Sequence, residues 1–325
     1  MLSVYVPTGT SLEQKIVEAD QSVPEAAVWI DLVMPSPGED KAVERLVGVA
    51  IPTREEMQEI ELSSRLYVEN GARYMTATLM CQSDTPIPKT TPVTFILAGH
   101  RLITVRYDEP KPFAIARHKL TRYCSATVSG EAVFIDLLDA VVDRCADLLE
   151  RVGTEIDQVS HNIFERDRAR TPKYYAVLLQ TIGRKGELAS KVRESLVSIG
   201  RLLIFAANEA ETEGMRWPKE QRALLKSMLR DSQSLSDHAT NLSNKITFLL
   251  DAMVGVVTIE QNNIIKIFSV AAVAFLPPTL IASIYGMNFK HMPELNWEYG
   301  YLVAIFLMVL AAILPYVYFK WRKWL

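Results

Sequence analysis

Polar and apolar positions are distributed unevenly along this chain. The last sixty residues hold two runs without a charge, Ile267–Tyr285 and Tyr301–Phe319. Each would form a helix of about 29 Å, matching a hydrocarbon core of roughly 30 Å. Upstream the pattern is that of a folded domain. The first 110 residues read as mixed α/β, with strands expected at Val28–Val33, Tyr74–Cys81, Thr94–Leu97 and Leu102–Tyr107. Pro35-Ser36-Pro37-Gly38 reads as a breaker, Thr53 with Glu56 as a capping box, and Ala98–Arg101 as a hairpin turn. A small sheet with helices packed against it is expected.

From about Glu131 the period becomes helical. One helix is expected to about Arg168, breaking near Thr171-Pro172, and a second to about Glu211. After Gly214 and Pro218 no breaker precedes the first apolar run. Met228, Leu235, Leu242, Leu249 and Val256 fall seven apart, with Ile246, Met253 and Glu260 in a second row. A helix from Lys219 to Tyr285 would be about 100 Å long. Its seam suggests parallel association of copies around an axis, with Ser232 tolerated by a wet centre. An intramolecular hairpin packed on the two preceding helices is the competing reading, and both can hold on different faces.

Charge and cysteine content narrow the function. A formal net charge of -3 argues against a nucleic-acid binder. Acids cluster at Glu55, Glu56, Glu59, Glu61 and Glu69, and at Asp136, Asp139, Asp143 and Asp147; these are either solvated faces or a surface responsive to divalent cations. Cys81, Cys124 and Cys145 form no CxxC pair, which suggests a reduced, cytosolic soluble region. The start, Met1-Leu2-Ser3-Val4, lacks a signal-peptide pattern. Lys320, Arg322 and Lys323 follow the second run and Lys266 opens the first. The positive-inside rule therefore puts both termini in the cytoplasm and the link outside. No GxxxxGK[ST], HExxH or GxSxG pattern occurs, so neither ATP-driven transport nor a membrane-anchored enzyme is indicated.

Ile259-Glu260-Gln261-Asn262, Ile264–Phe268, Phe275-Leu276-Pro277-Pro278-Thr279, Tyr285–Phe289, Met292–Leu295, Val28–Leu32 and the closing Lys323-Trp324-Leu325 together resemble the CorA family of magnesium transport proteins, in its proteobacterial branch. The likeness covers essentially the whole chain and is most specific over the last 70 residues. Zinc-transporting relatives share the layout but usually carry Val in the middle of the tripeptide Gly286-Met287-Asn288. A zinc or other transition-metal transporter is the alternative; scattered histidines and spans without cysteine argue against soft-metal ligation, with His291 keeping it open.

The resemblance implies a Mg2+ channel that also passes Co2+ and Ni2+, works as a homopentamer in the cell inner membrane, and is gated by cytoplasmic Mg2+. It implies an α+β fold: an N-terminal cytoplasmic α/β/α domain (1–125), then a helical stalk or funnel (126–261). The stalk helix continues into the first transmembrane helix, which lines the pore (262–286). An external loop (287–299), a second transmembrane helix (300–319) and a basic cytoplasmic tail (320–325) follow. Gly286, Met287 and Asn288 would form the selectivity filter. Asn262, Ile265, Phe268, Leu276 and Thr279 match pore-facing positions. Glu294 and Glu298 would concentrate cations outside, while Lys320, Arg322 and Lys323 would form a basic ring or anchor to lipid headgroups. Regulatory acids do not transfer by motif; Asp84, Asp231, Asp237 and Asp251 are the candidates.

The residues are compatible with that chemistry. Mg2+ releases its waters reluctantly, and carboxylates would hold it too long. The first apolar run has none. The polar atoms within and flanking it are amides and hydroxyls, at Asn262, Ser269, Thr279, Ser283 and Asn288, spaced mostly by three, four or their multiples. Such oxygens accept hydrogen bonds from first-shell waters. Helix–helix hydrogen bonding is the competing role for the inner ones.

Overall fold

A computed structural model describes residues 1–9, 11–18, 21–122, 128–165, 172–212, 217–287, 292 and 297–322. The chain divides into two compact units, Met1–Leu250 and Asp251–Leu325.

The first unit is built on one seven-stranded sheet: β1 (Leu2–Thr8), β2 (Ser11–Val17), β3 (Trp29–Val33), β4 (Leu66–Glu69), β5 (Ala72–Cys81), β6 (Lys89–Ala98) and β7 (Arg101–Arg106), in spatial order β2-β1-β3-β7-β6-β5-β4. Among the described residues only β3 and β7 pair in parallel, with Trp29 opposite Leu102. The four expected strands are present, but the sheet is larger than expected. β1, β2 and β4 lengthen it at both ends. β2 reads Ser-Leu-Glu-Gln-Lys-Ile-Val and is largely exposed; a charged edge strand that resists pairing with other chains is the physical reason it looks unlike a strand. β5 is buried at every position, so its residues show no alternation.

Local signals account for several boundaries. The β6–β7 turn is the expected hairpin, with Ala98 opposite Arg101 and Gly99 at φ 61°. Helix α1 (Pro37–Val47) starts inside the segment read as a breaker. Pro37 stands at its first position, and the Glu39 carboxylate accepts from the Ser36 N–H at 2.8 Å. Helix α2 (Arg54–Gln58) opens on the expected box: the Thr53 N–H donates to Glu56 at 2.7 Å, and the Glu56 N–H donates to Thr53 Oγ1 at 3.3 Å. The short α3 (Leu62–Arg65) leads into β4.

At the sheet's centre a buried polar chain joins the Val28–Leu32 segment to β7. The Trp29 indole donates to Thr104 Oγ1 at 3.0 Å, Thr104 donates to Asp31 at 2.8 Å, and Arg106 grips both Asp31 oxygens at 3.1 and 2.8 Å. Tyr5 stacks on Trp29 with centroids 4.2 Å apart, and the Arg106 guanidinium lies 4.7 Å from the Phe113 ring centre.

Helices α4 (Lys111–Arg122), α5 (Gly130–Phe164) and α6 (Pro172–Glu209) complete this unit with the first part of α7 (Lys219–Tyr285). The expected breaks at Arg168, Thr171 and Gly214 lie outside the described residues, as does Cys124; Cys81 and Cys145 are buried free thiols. α6 lies on β5, and α5 packs on α6 and α4. The start of α5 is pressed onto the β6–β7 hairpin. The Gly130 N–H donates to His100 O at 2.9 Å, and a Cβ on Gly130 would stand 2.6 Å from the Arg101 carbonyl carbon.

The heptad seam of α7 turns inward. Met228, Leu242, Ile246, Leu249 and Met253 are buried. Within the first unit, Leu242 faces Gly153 of α5 and Ile246 faces Gly186 of α6. Ser232 is 1% exposed and donates to Leu196 O at 3.0 Å. The expected wet centre at Ser232 is therefore overturned: its hydroxyl satisfies a carbonyl of α6 inside one chain. Within the first unit, Ser232, Leu242 and Ile246 thus pack inside one chain, as the competing hairpin reading expects.

In the second unit, α7 runs without interruption through Pro277 and Pro278, and α8 spans Gly300–Trp321. Apolar side chains cover both, and hardly any of them is buried.

Candidate functional site

The continuous helix sets the geometry of the last part of α7. Positions 262, 265, 269, 272, 276, 279 and 283 alternate in steps of three and four, so they fall along one stripe with Phe268 beside it. Asn262, Ile265, Phe268, Leu276 and Thr279, the five expected pore positions, are all exposed, Phe268 at 71% and Leu276 at 66%. From Asn262 to Ser283 the stripe is roughly 32 Å long. It carries oxygen acceptors and apolar groups but no carboxylate.

Thr279 Oγ1 donates to Phe275 O at 2.7 Å. Its proton is thus committed to the helix, while its lone pairs stay free to accept. Pro277 and Pro278 have no N–H, so the carbonyls of Val273 and Ala274 lose their usual helical donors. They need donors from a neighbouring helix or from water.

The helix ends at the tripeptide. The Gly286 N–H donates to Ala282 O at 2.9 Å, and that of Met287 to Ile284 O at 3.3 Å. Gly286 is not among the glycines with positive φ, so no left-handed cap forms at this residue. Proximity is the constraint instead: a Cβ on Gly286 would stand 3.1 Å from Ala282 O. Met287 is exposed. Asn288, Lys290, His291 and Glu294 lie outside the described residues, and so does Lys323. Glu298 is exposed just before α8, Lys320 stands in the last turn of α8, and Arg322 follows it.

Aromatic residues mark both ends of α8, a feature the sequence reading passed over. Trp297, Tyr299 and Tyr301 stand at its start, and Tyr316, Tyr318 and Trp321 at its end, all exposed. Tyr301 and Tyr318 are about 26 Å apart along the axis. Such rings favour the two interfaces of a bilayer.

Among the described residues no group of three or more His, Cys, Asp or Glu could hold a metal ion. Asp84 is bracketed by cations: Lys111, Arg144 at 3.1 Å and Arg151 at 3.0 Å. The hydrogen bond from Lys111, helped by the two arginines, holds its carboxyl down at about 2. Nothing in the spacing of these four residues announces the cluster. Asp231, Asp237 and Asp251 are exposed on α7. Burial raises the Asp139 carboxyl above the usual range, and the charges of Asp143, Asp136 and Asp231 add to it; Lys119, which pairs with Asp136 at 2.7 Å, opposes them.

An α+β body followed by two exposed apolar helices, one with a polar stripe and one with aromatic ends, defines a two-span membrane protein whose soluble part precedes its spans. Residues 24–321 match the family described as CorA-like Mg2+ transporter protein. The magnesium transport protein CorA of Escherichia coli K12 is 35% identical over 325 residues, covering all of both chains. That of Salmonella typhimurium is 35% identical over 327 residues, again covering both completely. The solved structure of the complete CorA magnesium transporter from Methanocaldococcus jannaschii superposes with a TM-score of 0.74 at 18% identity, covering 100% of this chain and 99% of that one. The chain belongs to the CorA family of Mg2+ transporters, a family of transporters and channels and not of enzymes.

Proposed function

We propose that this chain carries hydrated Mg2+ into the cell through a pore lined by the α7 stripe, in a homopentamer of the inner membrane with both termini cytoplasmic. The observation that carries this reading is the exposed, carboxylate-free stripe from Asn262 to Ser283, ending at Gly286-Met287-Asn288. A Mg2+ ion keeps its first-shell waters, and amide and hydroxyl oxygens accept hydrogen bonds from them without displacing them. A ring of Asn288 side chains then selects by the size and geometry of the hydrated ion, admitting Co2+ and Ni2+ as well. Rings of Ile265, Phe268 and Leu276 close the path by dewetting. A divalent ion crossing 100 mV gains about 4.6 kcal/mol, from roughly 2.3 per charge, so no hydrolysis is needed.

Inhibition by cytoplasmic Mg2+ completes the reading. Bound cations relieve repulsion among exposed acids, and their loss loosens the assembly. Asp231, Asp237 and Asp251 have the free charge for this, whereas Asp84 is already neutralised by three cations. Amide variants of Asp231, Asp237 and Asp251 should weaken inhibition by Mg2+, and that of Asp84 should not; inhibition unchanged in all of the first three removes the assignment.

The test of the pore is ion flux into liposomes enclosing a Mg2+-sensitive dye, at an inside-negative potential, for this chain and for Asn288→Ala. Mg2+ entry that the substitution abolishes or renders unselective is the expected result. Zinc entry without Mg2+ entry would move the chain to transition-metal transport, and no flux of any ion would refute the pore.

A further inference from the structure

Where α6 covers the sheet, the two do not close completely. A cleft of about 520 Å³ opens between α6, β5 and the α3–β4 segment. Its floor carries Thr76 and Thr78, two residues apart on one face of β5. On the α6 wall stand Arg193, Val197 and Arg201, four apart and so on one stripe. Arg65 faces them, anchored by donating to Glu59 O at 2.5 Å and to Thr78 Oγ1 at 3.0 Å.

Three guanidinium groups thus line one cleft against a single carboxylate, Glu194. Among the described residues neither Arg193 nor Arg201 forms a salt bridge. Burial lowers the Arg65 pKa; Glu194 opposes that effect and Arg201 adds to it. Gathering like charges in a partly desolvated cleft is unfavourable unless an anion joins them. The cleft also has an apolar side, from Leu62 and Leu66, and it continues into a groove bordered by Ile204 and Phe205. Arginine forks suit phosphate oxygens, an apolar shelf with one aromatic ring suits a flat base, and the volume is in the range of small-molecule sites.

We propose that this cleft binds a nucleoside phosphate, its phosphates on Arg65, Arg193 and Arg201 and its base on the shelf of Leu62, Leu66 and Phe205. The site belongs to the soluble unit and does not depend on the pore reading. Occupancy would make this unit responsive to a phosphorylated metabolite as well as to cations.

The test is equilibrium dialysis of radiolabelled ADP against the full-length protein in detergent, without Mg2+. Variants are the Arg193→Gln/Arg201→Gln pair, Val197→Glu, and Arg45→Gln on α1 as a control. Saturable binding near one ADP per chain is expected, weakened at least tenfold by the double substitution, abolished by Val197→Glu and unchanged by Arg45→Gln. Inorganic phosphate should compete only at much higher concentration than ADP. Arg193, Val197 and Arg201, the substituted positions, are exposed, and an elution volume equal to the parent's establishes intact assembly. Absence of saturable ADP binding, equal weakening by Arg45→Gln, or displacement by phosphate at equal concentration would each overturn the proposal.

Discussion

The contact between the start of α5 and the β6–β7 hairpin can be probed with one methyl group. In Gly130→Ala the new Cβ stands 2.6 Å from both the Arg101 carbonyl carbon and the Leu102 nitrogen, and 2.9 Å from His100 O. Favourable carbon–carbon contact begins near 3.5 Å. All three atoms are backbone, so no side chain can swing away, and relief requires moving α5 off the hairpin that orients it. Overpacking of this kind costs about 1–3 kcal/mol. For a unit of this size each kcal/mol shifts Tm by roughly 2–4 °C, so the variant should melt roughly 2–12 °C lower. Gly183→Ala is the matched control. It lies exposed within α6, where a Cβ meets nothing within 4 Å. It should gain about 0.5–1 kcal/mol from helix propensity, and melt a few degrees higher. Tryptophan fluorescence of the detergent-solubilised protein follows both. If Gly130→Ala melts at or above the parent, the close approach of α5 to the hairpin is wrong.

Other outcomes follow from the buried and bracketed charges. Asp31→Ala leaves Arg106 buried without its carboxylate, so it should destabilise by about 3–5 kcal/mol; a loss under about 1 kcal/mol in chemical unfolding would mean that the Asp31–Arg106 pair matters little. Asp84 has a folded pKa of about 2, below its ordinary value. It therefore stabilises the fold above about pH 4, and that contribution disappears as pH falls from about 4 towards 2. Asp84→Asn should flatten this part of the pH–stability curve, and an unchanged acid limb would exclude the three-cation bracket.

Legibility of the fold depended on how locally each element is determined. The two apolar runs, the Thr53–Glu56 box and the Gly99 turn carry their physical cause within a few residues, and the structure has each one. β2 was hidden because Glu13, Gln14 and Lys15 protect an edge, and α1 because Pro37 serves equally to stop one element and start another. The seam of α7 was visible as a pattern, but a heptad does not name its partner; Leu196 O, 36 residues from Ser232, does. The candidate site divides likewise. The stripe from Asn262 to Ser283 follows from helical arithmetic. The neutralisation of Asp84 by Lys111, Arg144 and Arg151 joins residues 27 to 67 positions apart, and no local pattern links them.

The single parallel pairing in the sheet has a consequence for biosynthesis. β3 is complete on one side as soon as β1 has paired with it, but its other neighbour, β7, is synthesised some 70 residues later. Until Arg106 leaves the ribosome, β3 presents an unpaired apolar edge, and Asp31 has no guanidinium. β4, β5 and β6 form a meander of neighbouring strands that can assemble on its own in that interval. A nascent chain stalled before residue 106 would thus expose a sticky strand with a buried-type acid at its centre. It should be a preferred client of chaperones, whereas a chain stalled just after β7 should not.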